Sequence, residues 1–232
     1  MLSASKYDTM RAEIHIFYKK GDNWMKILDI SHGVMHTAVY PGDPEPRLQR
    51  ILQLENGDNC NLSALYFGLH TATHADAQCH FIEGGLSIDQ MPLSSYIGEC
   101  LVMDIPPGPL PCSFVDRHIP LGCERLLLRS HGQGSLTESA SYELSARGTR
   151  LIGTDALSIA SGGDEEQRKV HRAILGGGTA ILEGLNLEQA EPGTYFLFAP
   201  PVKIEGVDGA PARAILIADY LFWSQHPAGR RP

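Results

Sequence analysis

The residue types best suited to chemistry lie in one short stretch of the chain, between residues 70 and 80. Three histidines and one aspartate occur there, His70, His74, Asp76 and His80, at gaps of four, two and four residues. Because every gap is even, an extended strand would carry all four side chains on one face, whereas a helix would direct the last two away from the first two. Imidazole and carboxylate groups are common protein ligands of Zn²⁺ and Mn²⁺. The stretch therefore predicts a divalent metal site on a strand that bends into a turn, with ordinary surface or core histidines as the alternative.

Two further residues extend the predicted ligand set. His171 lies in the segment 165–175, whose apolar residues recur at helical spacing, and Glu183 follows an apolar run that predicts a buried strand. A buried carboxylate needs a partner, a proton or a metal ion, whereas a lone histidine in a helix is also common on the surface. Six nitrogen and oxygen ligands exceed what one tetrahedral ion needs. Two ions that share Asp76 would account for the excess.

The same stretch carries a family resemblance. Residues 70–80 read H-T-A-T-H-A-D-A-Q-C-H, which resembles the signature H-x-G-T-H-x-D-x-P-x-H of the cyclase family of metal-dependent hydrolases, best known from bacterial kynurenine formamidase. Further segments between Met25 and Ile217 are similar to the family, at 28–31, 40–44, 81–85, 153–158, 171–175 and 181–185. The chain departs from the signature at Ala72, where the family has glycine, and at Gln78, where it has proline. If position 72 needs a positive φ, alanine carries strain there, and Gln78 would add an amide near the metals.

The resemblance implies an α/β fold, a single domain of the swivelling β/β/α type with a mixed sheet and few helices. It also implies a site for one or two divalent ions per chain, Zn²⁺ or Mn²⁺. The implied ligands are His70, His74 and Asp76 for one ion, with Asp76 bridging, and His80, His171 and Glu183 for the other. The family further suggests a homo-oligomer, either a dimer or a tetramer.

The function that the resemblance implies is hydrolysis of an amide, with an aryl formamide such as N-formylkynurenine as the example. A divalent ion lowers the pKa of bound water from about 15.7 towards roughly 7, and His80 or Glu183 would pass a proton to the departing nitrogen. Tyr40, Phe67 and Phe81 are candidates to line an aromatic substrate pocket, with ordinary core packing as the alternative for each. Two other functions stay open. One is a related enzyme that opens an isatin-type lactam or an ester, or performs a cyclisation in secondary metabolism; the other is a non-catalytic metal-binding relative.

The elements that must position these residues are short strands and a few helices. Apolar runs predict strands at 25–31, 64–69, 100–105, 125–129, 151–154, 180–183, 195–199 and 212–217. Helical spacing predicts helices near 139–146 and 165–175. The run at 64–69 is expected to be a buried strand that leads into the histidine stretch. Residues 1–24 are interpreted as an N-terminal extension, and residues 25–232 as one cyclase-like hydrolase domain.

Composition argues against several other classes of protein. The 232 residues carry a formal net charge of −8, which disfavours a broad nucleic-acid-binding surface. No apolar run approaches the roughly 18 residues that indicate a membrane span. The five cysteines form no C-x-x-C pair, which favours free thiols in a reducing compartment. With no secretory signal visible, we expect a cytoplasmic enzyme with a small-molecule substrate and no nucleic-acid or membrane partner.

Overall fold

The computed structural model describes residues 16–20 and 23–218, with side chains from Lys26 onward. Within these residues the chain forms four helices: α1 (Leu93–Tyr96), α2 (Cys112–His118), α3 (Glu138–Ala146) and α4 (Asp164–Gly176). The described residues also form fourteen strands: β1 (Ile16–Lys20), β2 (Asn23–Asp29), β3 (Arg47–Leu52), β4 (Leu62–Tyr66), β5 (His74–Asp76), β6 (Ile97–Asp104), β7 (Gly108–Leu110), β8 (Arg125–Arg129), β9 (Gly134–Leu136), β10 (Leu151–Thr154), β11 (Ala180–Glu183), β12 (Gly193–Phe198), β13 (Gly209–Pro211) and β14 (Ile215–Ala218). No helix in this part of the chain has the length and hydrophobicity to cross a membrane.

Ten of the strands form one curled sheet in the order β1-β2-β14-β12-β6-β8-β10-β11-β5-β13. The centre is parallel, because β6 pairs with β8, β8 with β10 and β10 with β11 in the same direction. The strands on both flanks pair antiparallel, including β5, which lies between β11 and β13. The short strand β5 carries part of the histidine stretch, so the pairing of β5 decides which residues surround it.

Both faces of the central strands are buried, as is usual for parallel sheets. Along β8, Leu126 and Leu128 face one hydrophobic cluster and Leu127 faces another, in keeping with the alternation of side chains along a strand. The first cluster includes Leu144 of α3 and Ile174 of α4, so these helices cover that face. Helix α4 is thereby fixed against the sheet beside β11.

The expectation of a single α/β domain with a mixed sheet and few helices is confirmed. The predicted strands at 100–105, 125–129, 151–154 and 180–183 correspond to β6, β8, β10 and β11, and the predicted helices correspond to α3 and α4. Apolar runs of this kind are easy to detect because strands buried on both faces are near-continuous in apolar residues.

The predicted buried strand at 64–69 is wrong in its burial and its end. The strand β4 stops at Tyr66 and pairs only with β3, in a hairpin separate from the large sheet, and all five of its residues are exposed. Leu48 and Leu65 face each other across this hairpin and are about 45% exposed, at 46% and 44%. The run was apolar enough for a core strand, but the sequence does not encode which sheet a strand joins.

The predicted boundary between residues 24 and 25 falls inside a strand. Strand β2 begins at Asn23 and pairs with β14 on one side and with β1 on the other. Residues 1–15 of the predicted N-terminal extension lie outside the described residues. The division of the chain into extension and domain therefore stays a prediction.

Candidate metal centre

Strand pairing brings the histidine stretch and the C-terminal half of the chain together. In the antiparallel pair of β5 and β11, His74 lies directly opposite Glu183, and directly opposed residues project from the same face of a sheet. Asp76 ends the same strand two residues later, on that face. His171 reaches the same point from α4, which packs beside β11. Four predicted ligands thus meet at the end of one sheet, although α4 and β11 follow β5 by about a hundred residues.

These four side chains form a compact buried group. The Nε2 atom of His74 lies 3.4 Å from Asp76 Oδ1 and 3.5 Å from Glu183 Oε2. The Nε2 atom of His171 lies 3.4 Å from Glu183 Oε1 and 3.7 Å from Asp76 Oδ2. All four residues are at most 5% exposed. We call His74, Asp76, His171 and Glu183 the inner group.

The backbone fixes the orientation of both imidazoles in the inner group. The Nδ1–H of His74 donates to the carbonyl oxygen of Ala72 at 2.9 Å, and the Nδ1–H of His171 donates to that of Gln167 at 2.7 Å. A neutral imidazole with its proton on Nδ1 has its lone pair on Nε2. Both lone pairs are then directed at carboxylate oxygens, and His74 Nε2 and Asp76 Oδ2 have no hydrogen-bond partner among the described residues. When a metal ion displaces the Nε2 protons, these lone pairs and the anionic oxygens converge on one point, which fits a bound cation.

A second set of polar side chains lies closer to solvent. The Nδ1 atom of His70 lies 3.0 Å from Asp76 Oδ1, and its Nε2 atom lies 2.8 Å from Asp208 Oδ2. His80 stacks on His70 with 4.0 Å between the ring centroids, and its Nδ1 atom lies 3.3 Å from the same oxygen of Asp208. The His70 and His80 side chains are 19% and 27% exposed. We call His70, His80 and Asp208, together with the shared Asp76, the outer group.

The charges of the inner group keep both carboxylates ionised. Burial favours the neutral acid, yet the His70 and His74 imidazoles hold the pKa of Asp76 well below its ordinary value. Burial and the charge of Asp76 also oppose ionisation of Glu183, and the His171 and His74 imidazoles outweigh them and lower its pKa. Burial lowers the pKa of His74, but Asp76 and Glu183 raise it to about 10. In the metal-free chain protons on the histidines balance these anions, and a metal ion has to displace them.

Among the predicted ligands, two sets of three residues have ligand atoms within 4.8 Å of one another, close enough to hold one metal ion. These sets group the ligands differently from the family resemblance. One set is His74, Asp76 and Glu183, and the other is His70, Asp76 and His80. The resemblance instead implied that His70 shares an ion with His74. All six predicted ligands converge, and Asp76 belongs to both sets. The residue that the sequence analysis missed is Asp208, which lies 138 positions after His70 and carries no local signal except the glycines around it.

A cavity of about 300 Å³ opens onto the two groups. Tyr40 and Phe81 line it, as predicted, and Phe81 stacks on His171 with 4.4 Å between the ring centroids. Phe67 is half-buried but is not among the described residues that line this cavity. The remaining lining includes the carboxylates of Asp43 and Asp164. Of the three predicted substrate-contact residues, two therefore face the candidate metal centre.

A larger cavity of about 510 Å³ lies at the N-terminal ends of β6 and β8, away from the histidines. Its buried Arg125 donates to the carbonyl oxygens of Ser94, Ser95 and Glu99. The guanidinium is thus fully used in holding the chain together. The smaller cavity is the one that combines converging ligands with aromatic walls.

The two departures from the family signature have different consequences. Ala72 adopts a φ of 60°, so the position does require the left-handed conformation that favours glycine. Gln78 does not place its amide at the metals: its Nε2 donates to the Leu175 carbonyl at 3.2 Å, and its Oε1 accepts from the Leu86 N–H at 3.2 Å. The expected effect of Gln78 on the metal site is therefore wrong, because the amide ties the loop after β5 to the end of α4.

Comparisons with known proteins identify relatives over most of the chain. A family model described as Putative cyclase matches residues 28–119. The kynurenine formamidases of Sphingopyxis alaskensis and Salinibacter ruber are 35% and 34% identical to the chain in alignments 208 positions long, and these alignments cover 82% and 83% of this chain and 97% of each relative. The solved structure of a predicted metal-dependent hydrolase from Bacillus stearothermophilus is 26% identical, covers 83% of this chain and 98% of its own, and superposes with a TM-score of 0.72. Similarity thus extends over nearly the whole length of these relatives.

Proposed function

This chain belongs to the cyclase family and is a metal-dependent hydrolase that acts on C–N bonds, and we propose that its substrate is an aryl formamide such as N-formylkynurenine. The observation that carries the proposal is the inner group, in which two imidazole lone pairs and two buried carboxylates converge beside an aromatic-lined cavity. The kynurenine formamidase relatives support the choice of a formamide. An N-formyl group is small enough to reach between the two groups while its aryl ring remains in the cavity.

We propose Zn²⁺ or Mn²⁺ as the ion, with one or two ions per chain and Asp76 common to both positions. His74, His171 and Glu183 would complete the inner position, and His70 and His80 the outer one. Imidazole and carboxylate donors suit both metals. When bound, such an ion supplies Lewis acidity that lowers the pKa of water towards roughly 7 and polarises a carbonyl oxygen.

The chain's own residues would then bind the substrate and move protons. Phe81 lies edge-on to His80, with 4.5 Å between their centroids, so an aryl ring held against Phe81 and Tyr40 has its amide close to His80. Burial lowers the pKa of His80, which keeps the imidazole neutral at pH 7 and able to accept a proton. His80 would take a proton from the attacking water and return it to the departing amine nitrogen, as the C–N bond breaks and formate is released.

Of the two residues predicted to carry protons, we assign this step to His80. Glu183 accepts a hydrogen bond from the Ile159 N–H at 2.7 Å, and its two oxygens face His74 and His171. Glu183 is therefore better suited to hold a cation than to exchange protons with a substrate. In the singly loaded enzyme, with the inner position filled, His80 remains free to act.

We also propose that the protein works as a cytoplasmic homo-oligomer. The hairpin of β3 and β4 exposes large apolar side chains on both of its faces, with Leu48 and Leu65 paired on one face and Tyr66 on the other. Exposed apolar surface is typical of protein–protein contacts. An isolated two-stranded hairpin is marginally stable in water, so contact with the same hairpin of a second copy would stabilise it. Light scattering should give at least a dimer, and Leu65→Glu should shift it towards monomer. The five cysteines are free thiols, in keeping with a reducing compartment.

The test of the catalytic proposal uses the purified full chain, stripped of metal and reloaded with Zn²⁺ or Mn²⁺. N-formylkynurenine and formanilide should be hydrolysed with one formate released per amine. Asp76→Asn and His74→Ala should abolish metal binding and turnover together. Glu165→Gln, a change of the same type at an exposed carboxylate on α4, should leave both intact.

Each other outcome identifies a different error. Turnover retained in Asp76→Asn would contradict the site assignment. Faster opening of isatin than of either formamide would replace the proposed substrate class by a lactam. Metal bound tightly without turnover of any formamide, ester or lactam would show a non-catalytic metal-binding relative.

A further inference from the structure

The loop that leads into β13 runs beside His70, and we propose that Asp208 is a positioning residue that fixes the tautomer of His70 for metal binding. The inference deepens the proposed metal role and rests on it. Asp208 Oδ2 lies 2.8 Å from His70 Nε2, a normal hydrogen-bond distance, and 3.3 Å from His80 Nδ1. One carboxylate oxygen therefore faces a ring nitrogen of both histidines in the outer group.

The tautomer of His70 decides whether it is able to bind a cation. Its two ring nitrogens each face a carboxylate oxygen, Asp76 Oδ1 on the Nδ1 side and Asp208 Oδ2 on the Nε2 side. A neutral imidazole carries only one proton. If that proton is on Nδ1, it is donated to Asp76, and both the lone pair and the carboxylate oxygen are lost to the metal. If the proton is on Nε2 and is donated to Asp208, then Nδ1 and Asp76 Oδ1 are both available as ligands.

Asp208 selects the second arrangement because it offers an anionic acceptor on the side away from Asp76. Histidines that bind metals usually donate their other ring N–H to a carboxylate or a carbonyl oxygen. In the inner group, the carbonyls of Ala72 and Gln167 perform this function for His74 and His171. His70 has a carboxylate side chain in the equivalent role. In both groups, then, a histidine has an oxygen acceptor at the ring nitrogen that does not face the metal. The acceptor is a main-chain carbonyl in the inner group and the Asp208 carboxylate for His70.

The main chain around Asp208 is shaped to hold the His70 ring. Gly209 pairs with Asp76 across β13 and β5, and a Cβ atom on Gly209 would lie 2.6 Å from His70 Cε1 and 3.0 Å from His70 Nε2. The imidazole therefore occupies the space that only glycine leaves free. The Ala77 N–H donates to the Asp208 carbonyl at 2.8 Å, which anchors the loop to the histidine stretch. The placement of Asp208 next to His70 does not depend on the Asp208 side chain itself.

The side chain of Asp208 is 47% exposed, so that its replacement need not disturb folding. The carboxylate of Asp89 holds the same loop from its other end, where Oδ1 accepts from the Gly206 N–H at 3.0 Å. Asp89 is thus a matched control, because it anchors the loop and is not among the groups that face the histidines. Asp208→Asn and Asp208→Ala remove the anionic acceptor, and Asp89→Asn removes a carboxylate with no role at His70.

The experiment measures metal affinity without substrate, by competition of Zn²⁺ between the full chain and a chelating dye. We expect Asp208→Ala to weaken binding about 10- to 100-fold, the usual effect of removing such an acceptor, and Asp208→Asn to weaken it less. Asp89→Asn should bind like the original chain. Long-range ¹H–¹⁵N NMR spectra of the Zn²⁺-loaded protein should show His70 protonated at Nε2. Thermal unfolding of the metal-free variants verifies that they fold.

Three results would overturn the inference. Unchanged Zn²⁺ affinity in both Asp208 variants would show that the acceptor is unimportant. If the NMR spectra of the Zn²⁺-loaded protein show His70 protonated at Nδ1, its tautomer is the opposite of the proposed one. If Asp208→Asn binds one Zn²⁺ ion per chain fewer than the original protein even at saturating Zn²⁺, then Asp208 is itself a metal ligand. Because none of these measurements uses a substrate, failure of formamide turnover leaves them unaffected, and the two proposals fail separately.

Discussion

Replacing Gly184 by alanine tests how the backbone behind Glu183 supports the candidate metal centre. Gly184 follows Glu183 directly and has a φ of 62°. A Cβ atom added there would lie 2.9 Å from the carbonyl carbon of Ala72 and closer still to its oxygen, whereas ordinary contacts begin near 3.4 Å. The same oxygen accepts the Nδ1–H of His74 at 2.9 Å. One added methyl group therefore presses on the atom that orients a predicted ligand.

The magnitude separates into two contributions. A residue with a Cβ atom in the left-handed conformation costs about 1–2 kcal/mol, and overpacking against a backbone that has to move costs typically another 1–3 kcal/mol. Gly184→Ala should then lower the free energy of unfolding by about 3 kcal/mol. Gly148→Ala is the matched control, since Gly148 has a φ of 82° with open space around it. The control should show only the first contribution, about 1–2 kcal/mol.

Two assays distinguish the variants. Thermal unfolding of the metal-free proteins should separate them by roughly 2–8 °C, because the two variants differ by about 1–2 kcal/mol and about 2–4 °C corresponds to each kcal/mol in a chain of this size. Competition with a chelating dye should show Zn²⁺ binding weakened about 10- to 100-fold in Gly184→Ala, as His74 loses its anchor, and unchanged in Gly148→Ala. If the two variants unfold at the same temperature and bind Zn²⁺ equally well, the Ala72 carbonyl does not orient His74 and the reasoning fails.

Three further changes have defined outcomes. Ala72→Gly should alter the free energy of unfolding, measured by thermal unfolding, by less than about 1 kcal/mol. Glycine removes the strain of alanine in the left-handed conformation, but the chain loses a buried methyl group and its unfolded state gains conformational freedom. A larger gain in stability would contradict this balance. The metal-free protein should be less stable at pH 9.5 than at pH 6.5, because folding raises the pKa of His74 from 6.5 to about 10. The contribution of protonated His74 to the free energy of unfolding is complete below pH 6.5 and is lost as the pH rises towards 10. A free energy of unfolding that does not change over this range would contradict the prediction. Phe81→Leu should lower kcat/KM for formanilide about 2- to 10-fold and leave that for N-methylformamide nearly unchanged, and an equal loss for both would show that Phe81 does not contact an aryl ring.

The sequence was sufficient to predict the central sheet and the set of six side chains that the structure brings together. Strands such as β8 and β10 are buried on both faces and contain consecutive apolar residues, Leu126 to Leu128 and Leu151 to Ile152, so each run is visible in the sequence. His70, His74, Asp76 and His80 are close together along the chain, so their convergence needs only a bend. In both cases the information is local.

Features that depend on pairing between strands far apart along the chain could not be predicted from the sequence. Asp208 reaches His70 only because β13 adds to the edge of the sheet beside β5, which no pattern near either residue encodes. The exposed hairpin has the same origin, since the apolar run at 64–69 does not indicate that β4 pairs with β3 outside the large sheet. From its place in the motif, Gln78 was expected to place its amide near the metals, whereas the amide donates to a carbonyl at the end of α4.

The inner and outer groups differ in what sets their geometry, and this difference bears on how the site fills. Main-chain carbonyls orient both imidazoles of the inner group, and these carbonyls are present whatever side chain occupies position 72 or 167. The outer group instead relies on one half-exposed carboxylate, Asp208. Ions bound between buried carboxylates are also less screened by solvent than ions bound near the surface. The inner position should therefore take the first ion and hold it more tightly. At the outer position, a single substitution of Asp208 is able to change the metal affinity. When that position is empty, His80 is not a metal ligand and is free to transfer protons.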